Sequence, residues 1–276
     1  MATDATEEQI EAGRGYEALY VPNLFRPWPR HLIERADIRQ GAHVLDLACG
    51  TGVLTREVLS VVGGEGRVVG LDPAPGMLAA AAEIQAGIEW VQGIAEELEF
   101  DDHHFDCVVS QFGMMFFEDK QKAARQMFRV TKGGGKIAIA VWDAIENNPT
   151  YGDIIKVLDE EVSTAAGDAL RLPFCLGDAS TVISILDEAG FEEIKVETHL
   201  EPACFPQPRT MVEADLRGWL PLFGIELSEE KIEDVLVQSD KRLAKYSNSS
   251  GQAEFQTSAH IISADKPRSL DRAKQS

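Results

Sequence analysis

Val44-Leu45-Asp46-Leu47-Ala48-Cys49-Gly50-Thr51-Gly52 is the stretch that decides the fold. It opens as a short apolar strand carrying an acid. Small residues at 48, 50 and 52 then let the backbone turn tightly into a helix. Glycine permits the left-handed conformation and lets main chain approach a ligand with no Cβ in the way. Outward from this turn, strand-like and helix-like text alternates. The strand His43–Leu47 is followed by a helical stretch, Val53–Val62, and a second strand, Arg67–Leu71. Next come an alanine-rich helix, 74–85, a third strand, Glu89–Gln92, and a fourth, Cys107–Ser110. A helix over Lys120–Val130 and a glycine turn at 133–135 lead into a fifth strand, 136–142. Strands this short, apolar on both faces and separated by helices, predict a parallel sheet covered on both sides. Right-handed crossovers then give a doubly wound, Rossmann-like α/β fold with its ligand site at the carboxyl ends of the strands. Two later stretches, 191–200 and 254–264, alternate more and complete seven strands as an antiparallel pair at one edge.

The other segments read as additions to that core. Residues 1–40 form an N-terminal helical lid. From Tyr16 to Ala36 it is aromatic and interrupted by Pro22, Pro27 and Pro29, which predicts short helical pieces. The core spans 41–147, a cap insertion 148–177, a core helix and strand 178–201, a helical cap 202–250, the final strand 251–265 and a tail 266–276. Helical text over 151–166, 179–189 and 208–246 supports this division.

The 46 acidic and 26 basic residues give a net charge of −20. A surface so negative repels phosphate backbones and anionic lipid, which argues against nucleic acid or membrane as partner. No apolar run approaches the roughly 20 residues of a membrane span. The first residues lack the basic start and apolar stretch of a signal peptide, so a cytoplasmic protein is expected. Cys49, Cys107, Cys175 and Cys204 show neither a metal spacing nor a disulfide framework. No metal site is expected.

Asp72 stands at the end of the second strand, twenty residues beyond Gly52. A carboxylate there can accept hydrogen bonds from two ribose hydroxyls. The dinucleotide fingerprint would need glycine at 55, which is threonine. A pyrophosphate would also meet the charge of Asp46. S-adenosylmethionine carries a sulfonium and an ammonium and no phosphate, so acids at this turn favour it. An NAD-dependent oxidoreductase and a non-catalytic S-adenosylmethionine-binding protein remain as alternatives.

VLDLACGTG, GLDPAPGML, GIAEELEFDDHHFDCVVSQFGMMFF and MFRVTKGGGKIAIAVW together resemble the class I S-adenosylmethionine-dependent methyltransferases. The resemblance is to the ubiquinone/menaquinone-biosynthesis-like, small-molecule branch, and it covers residues 16–142. It implies methyl transfer to a small-molecule acceptor by in-line displacement. It also implies that Asp46, Ala48, Gly50 and Gly52 surround the methionine part of the cofactor, and that Asp72 holds the ribose. Met77 would pack near the adenine, Ala95 and Glu96 fall in the adenine loop, Ser110 and Gln111 lie beside the sulfonium, and Tyr16 folds over the site. Two positions depart from the pattern. Ala48 replaces a common glycine, and Ile94 stands where the usual text has an adenine-binding aspartate.

No general base is identified. His103 and His104 sit in an acidic turn read as solvent-facing, while His199 and His260 are strand histidines and weaker candidates. Phe112 and Met114, after the fourth strand, are expected to line an apolar acceptor pocket within a cluster that is mostly core. Ser-Gln-Phe-Gly in place of Asn-Pro-Pro-Tyr disfavours a nucleobase or amide nitrogen as acceptor. The cap insertions carry Phe174 and Trp219, large side chains expected to contribute to the acceptor site.

Overall fold

The computed structural model describes residues 5–268. Its strands are β1 (His43–Leu47), β2 (Arg67–Asp72), β3 (Glu89–Gln92), β4 (Phe105–Gln111), β5 (Thr131–Trp142), β6 (Glu192–Phe205) and β7 (Ala253–Asp265). They form one sheet in the order β3-β2-β1-β4-β5-β7-β6. The first five strands are parallel, and β7 runs against both β5 and β6. The chain order reverses between β1 and β4. That switch point opens a crevice at their carboxyl ends, where ligands bind in doubly wound sheets. Val44, Leu45, Leu47, Val108 and Val109 are fully buried, as an inner strand pair covered on both faces requires. The expected seven-stranded α/β fold is the fold observed.

The helices are α1 (Glu7–Tyr20), α2 (Pro29–Arg35), α3 (Val53–Val62), α4 (Pro75–Ile84), α5 (Lys120–Val130), α6 (Pro149–Glu161), α7 (Thr164–Arg171), α8 (Ala179–Ala189), α9 (Pro208–Ala214) and α10 (Glu229–Leu243). Four details differ from the sequence reading, each for a local reason.

The aromatic N-terminal segment is not reduced to short pieces at its start. Thr6 and Gln9 form a reciprocal capping box, and α1 then runs without a break through Tyr16 to Tyr20. Pro22 is accommodated in a single π-helical turn, Val21–Phe25, and Pro29 opens α2. The triple glycine is not a free turn before β5. Thr131 already pairs with Phe105, and residues 132–135 bulge opposite Asp106 before pairing resumes at Lys136. The helix from 149 ends at Glu161, because Ser163 caps a new one by accepting from the Ala166 amide at 3.2 Å.

Finally, β6 extends five residues past Leu200, and its last residues pair with β7 down to Ala253. Pro202 is tolerated because β6 is an edge strand. This overhang continues beyond Trp142, the last residue of β5 to pair with β7. Its last residue, Phe205, reaches Tyr20 at the end of α1.

Lys266 belongs to the folded body, donating to the carbonyls of Phe128 and Thr131. The remainder of the expected tail, residues 269–276, and the first four residues of the lid lie outside the described residues. No single helix among the described residues is long and apolar enough to cross a membrane. Jointly, only a pair bent by 55°, 164–174 with 179–189, has the length and composition.

Candidate functional site

The turn after β1 is built from left-handed residues: Ala48, Gly50 and Gly52 have φ of 55°, 56° and 85°. Ala48 thus occupies a conformation that costs an L-residue about 1–2 kcal/mol, which explains why glycine is the easier residue there. A Cβ on Gly52 would lie 2.4 Å from the indole of Trp90. Trp90 lies across the turn and also abuts Gly70.

Two acids are buried at this turn. Asp46 accepts from the Thr55 hydroxyl at 2.6 Å through Oδ2, while its Oδ1 has no partner among the described residues. Burial pushes its carboxyl up to about 7; the Thr55 hydrogen bond opposes this, and the charge of Asp72 adds to it. Asp72 accepts the amides of Gly50 at 2.8 Å and Ala74 at 2.9 Å, leaving one lone pair on each oxygen. Burial raises its carboxyl as well, against the pull of those two amides. Neither acid has an ion-pair partner among the described residues, and the nearby Arg56 is engaged by Glu17 at 2.7 Å. Two buried carboxylates without a protein cation suit a cationic ligand and repel a pyrophosphate.

At the end of β4, Ser110 Oγ and Gln111 Oε1 are buried without partners. Gln111 donates to the Phe25 carbonyl at 3.4 Å. Phe112 follows with φ of 56°, another left-handed residue at a strand end, and stacks on Trp142 at 3.9 Å. A buried cradle of left-handed backbone with unpartnered oxygens fits S-adenosylmethionine. Asp46, Asp72, Ser110 and Gln111 are the groups free to meet it.

α1 covers the turn. Thr51 donates its hydroxyl to Glu17 at 2.5 Å, and Tyr16 lies 4.0 Å from where a Cβ on Gly50 would stand. Beyond Tyr16 the rings continue. Phe25 stacks on Tyr16 at 5.6 Å and meets Phe112 at 5.8 Å and Trp142 at 6.3 Å. Phe174 lies 6.4 Å from Trp142 and 5.5 Å from Tyr151. Tyr20 meets Phe205 on the β6 overhang at 6.0 Å.

Thus Tyr16, Asp46, Ala48, Gly50, Gly52, Asp72, Ser110, Gln111, Phe112 and Phe174 come together at the crevice or along the rings that border it. Met77 is half-buried at the start of α4, and Ala95 is buried in the loop after β3. Glu96 accepts the amides of Glu118 and Asp119 at 2.7 and 3.2 Å, so its side chain anchors the approach to α5. Met114 is fully buried. Trp219 is set apart from the Phe112–Trp142 stack: its indole donates to the Ala169 carbonyl at 3.0 Å and packs on Phe116 and Phe223. His199 stacks on His31, and His260 is held by Thr198, Gly177 and Asp143. All four cysteines are free, and among the described residues no cluster could hold a metal.

Sequence reasoning missed Thr55, Glu17, Trp90, Tyr20, Tyr151, Phe205 and Asp215. Thr55 and Glu17 had a signal: a hydroxyl one helical turn into α3, and an acid beside the aromatic Tyr16. The others meet only through long-range packing.

The chain is also similar to known proteins. The model of the ubiE/COQ5 methyltransferase family matches residues 19–152. The ubiquinone/menaquinone biosynthesis C-methyltransferase UbiE of Proteus mirabilis (strain HI4320) is 34% identical over 191 residues, 62% of this chain and 74% of the relative. That of Cronobacter sakazakii (strain ATCC BAA-894) is equally similar, at 34% over the same shares. Among solved structures, the phosphoethanolamine N-methyltransferase 2 of Haemonchus contortus, with S-adenosylhomocysteine bound, aligns with a TM-score of 0.59 and 19% identity, covering 95% of this chain and 58% of that one. The [4+2]-cyclase SpnF aligns with a TM-score of 0.55 and 18% identity, covering 88% and 82%. These two likenesses speak for the fold. The relatives speak for the chemistry, and they set the oxidoreductase and non-catalytic alternatives aside. This chain belongs to the ubiE/COQ5 methyltransferase family and transfers a methyl group from S-adenosylmethionine to a small molecule.

Proposed function

We propose that the acceptor is a phenolic or hydroquinone-type ring, methylated on a ring carbon. The observation that carries this reading is the unbroken run of aromatic side chains beside Ser110–Phe112. Its rings meet both face-on and edge-on, from Phe112–Trp142 at 10° to Tyr20–Phe205 at 80°, and a flat aromatic acceptor bordering them would pack by the same kinds of contact. The relatives' naming as C-methyltransferases of quinone biosynthesis supports the same acceptor class.

In this reading Asp46, Ala48, Gly50 and Gly52 surround the methionine part of the cofactor, and Asp72 accepts the ribose hydroxyls. Met77 and Ala95 flank the adenine. The Glu96 side chain is committed elsewhere, so loop backbone serves the adenine amino group. Ser110 and Gln111 face the methyl-bearing end, and Tyr16 covers it. The bound cofactor supplies an electrophilic methyl group. The protein's contribution is to hold acceptor and methyl at near-attack distance and to keep water out. A net charge of −20 favours a small acceptor over nucleic acid. The enzyme works in the cytoplasm, where its free thiols stay reduced.

The test is methyl-labelled cofactor offered with a panel of hydroquinones, phenols, amines and thiols, the label being located by NMR. Label on a ring carbon is expected. Label confined to oxygen, nitrogen or sulfur would overturn the reading. Phe174→Ala is expected to raise the acceptor's KM roughly 3- to 10-fold, the worth of one aromatic contact, with cofactor affinity unchanged. Trp219→Ala should act chiefly on stability, costing about 3 kcal/mol by thermal or urea unfolding. If Trp219→Ala instead raises KM and Phe174→Ala does not, the acceptor lies on the α7 side.

A further inference from the structure

We propose that Asp215, hydrogen-bonded to Tyr20, takes the proton from the acceptor's hydroxyl, making this pair the general base of the reaction. The inference rests on the phenolic acceptor proposed above.

Tyr20 is the last residue of α1 and donates its hydroxyl to Asp215 Oδ1 at 2.9 Å, joining segments 195 residues apart. Each stands where an α-helix passes into a π-helical turn, Val21–Phe25 for the first and Asp215–Trp219 for the second. Such turns frequently mark functional sites. Asp215 is buried, and Tyr20 is its one hydrogen-bond partner among the described residues. A buried carboxylate with no cation and a single donor is costly to keep for stability alone.

The setting gives it a use. Tyr20 packs on Tyr16 and Phe25, the rings that connect the glycine turn to Phe112. Tyr151 on α6 is buried in the same aromatic cluster, meeting Phe174 at 5.5 Å and Phe255 at 6.2 Å, and Phe255 stacks in turn on Phe205 beside Tyr20. Neither the Tyr16 nor the Tyr151 hydroxyl has a hydrogen-bond partner among the described residues. Because Tyr20 joins these rings to Asp215, an acceptor hydroxyl at this end of the row would meet the carboxylate, with Tyr20 steadying it.

The proton balance closes. Methylation of a neutral acceptor by a sulfonium must release one proton. The acceptor's O–H bond breaks with its electron pair kept on oxygen, and the proton joins the Asp215 carboxylate. The oxide's electrons reach the ring carbon, which forms the new C–C bond as the C–S bond breaks and leaves its pair on sulfur. The ring C–H proton then replaces the one lost from oxygen.

Burial pushes the Asp215 carboxyl up to about 7, the Tyr20 hydrogen bond opposing this, which suits a base working near neutrality. Tyr20 is the titratable group in contact with it, and burial raises the Tyr20 and Tyr151 phenols first and foremost, so neither ionises in that range.

The test compares wild type, Asp215→Asn and Tyr20→Phe. Wild-type kcat should fall as pH falls through about 7, as the carboxyl protonates. Asp215→Asn should lose about 100-fold in kcat and that pH limb; Tyr20→Phe should lose less and shift the limb. A binding readout uses 4-nitrocatechol with S-adenosylhomocysteine present, its ionisation followed by absorbance. A carboxylate in contact raises the ionisation midpoint of the bound probe, so Asp215→Asn should lower that midpoint by about one pH unit or more. Folding is checked by melting. A raised folded-state carboxyl stabilises the protein at low pH, and that contribution is lost as pH rises from about 4 to about 7. Asp215→Asn should therefore lose less stability than wild type between pH 5 and 8. An unchanged probe midpoint or an unchanged pH limb in Asp215→Asn overturns the proposal. If wild type does not bind the phenolic probe, the acceptor reading falls first and this inference with it.

Discussion

Asp72→Ala is expected to weaken S-adenosylmethionine binding by about 1.5–3 kcal/mol, the worth of hydrogen bonds to a charged group. That is roughly 10- to 150-fold in Kd. The carboxylate has two tasks that the variant removes together. Its oxygens accept the Gly50 and Ala74 amides, fixing the turn after β1 to the start of α4. The lone pairs left over are those available to a ribose diol. Asp72→Asn separates the tasks, because one oxygen can still accept while the amide nitrogen faces an N–H it cannot satisfy. Its affinity should fall between wild type and alanine. Calorimetric titration of all three proteins decides the matter, and an alanine variant that binds as tightly as wild type would remove Asp72 from the site.

The core of this site was legible in the sequence because it is local. Asp46 to Gly52 is one strand and one turn, and the left-handed backbone at 48, 50 and 52 follows from the need to turn. Asp72 is one strand further on and sits beside that turn because β1 and β2 are hydrogen-bonded neighbours. The helices α3, α5 and α8 match their expected bounds because caps and apolar periodicity are also local.

The cluster around Tyr20 was not legible. Tyr20, Tyr151, Phe205 and Asp215 come from α1, α6, β6 and the turn after α9, and no spacing in the chain connects them. Phe205 joins only because β6 overruns its expected end by five residues, held by pairing with β7. Asp215 reads as one more acid in a chain with 46 of them. Trp219 illustrates the converse. Its size points to a pocket residue, and only the fold shows that its indole donates to a carbonyl of α7. Composition draws attention to large and charged side chains; topology decides which of them face one another.

Gly76→Ala tests whether the contact that seats α1 also sets cofactor affinity. Gly76 lies in the first turn of α4, and a Cβ there would stand 2.3 Å from the Gln9 carbonyl oxygen of α1 and 2.5 Å from its carbon. The obstacle is backbone, so no rotamer change relieves it. Gly13 answers from the other side, where a Cβ would meet the Gly76 carbonyl at 2.8 Å. The two helices thus touch through a pair of glycines, and the variant must push them apart. Further along, Arg14 pairs with Glu83 of α4 at 2.7 Å, an exposed contact too weak to hold the seat alone. The displacement would act on Tyr16, Glu17 and Tyr20, with Glu17 released from Thr51 and Arg56 and Tyr20 from Asp215. Overpacking costs about 1–3 kcal/mol, and the sheet need not absorb it, because Gly13 is the one residue of α1 that is fully covered. The expected result is a cofactor Kd raised about tenfold, faster hydrogen exchange over Leu19–Phe25, and a melting temperature only slightly lowered. Exchange over that segment in wild type should in turn slow when S-adenosylmethionine or S-adenosylhomocysteine is added. If Gly76→Ala binds cofactor within twofold of wild type while exchange does rise, α1 moves without consequence, and the glycine turn alone holds the ligand.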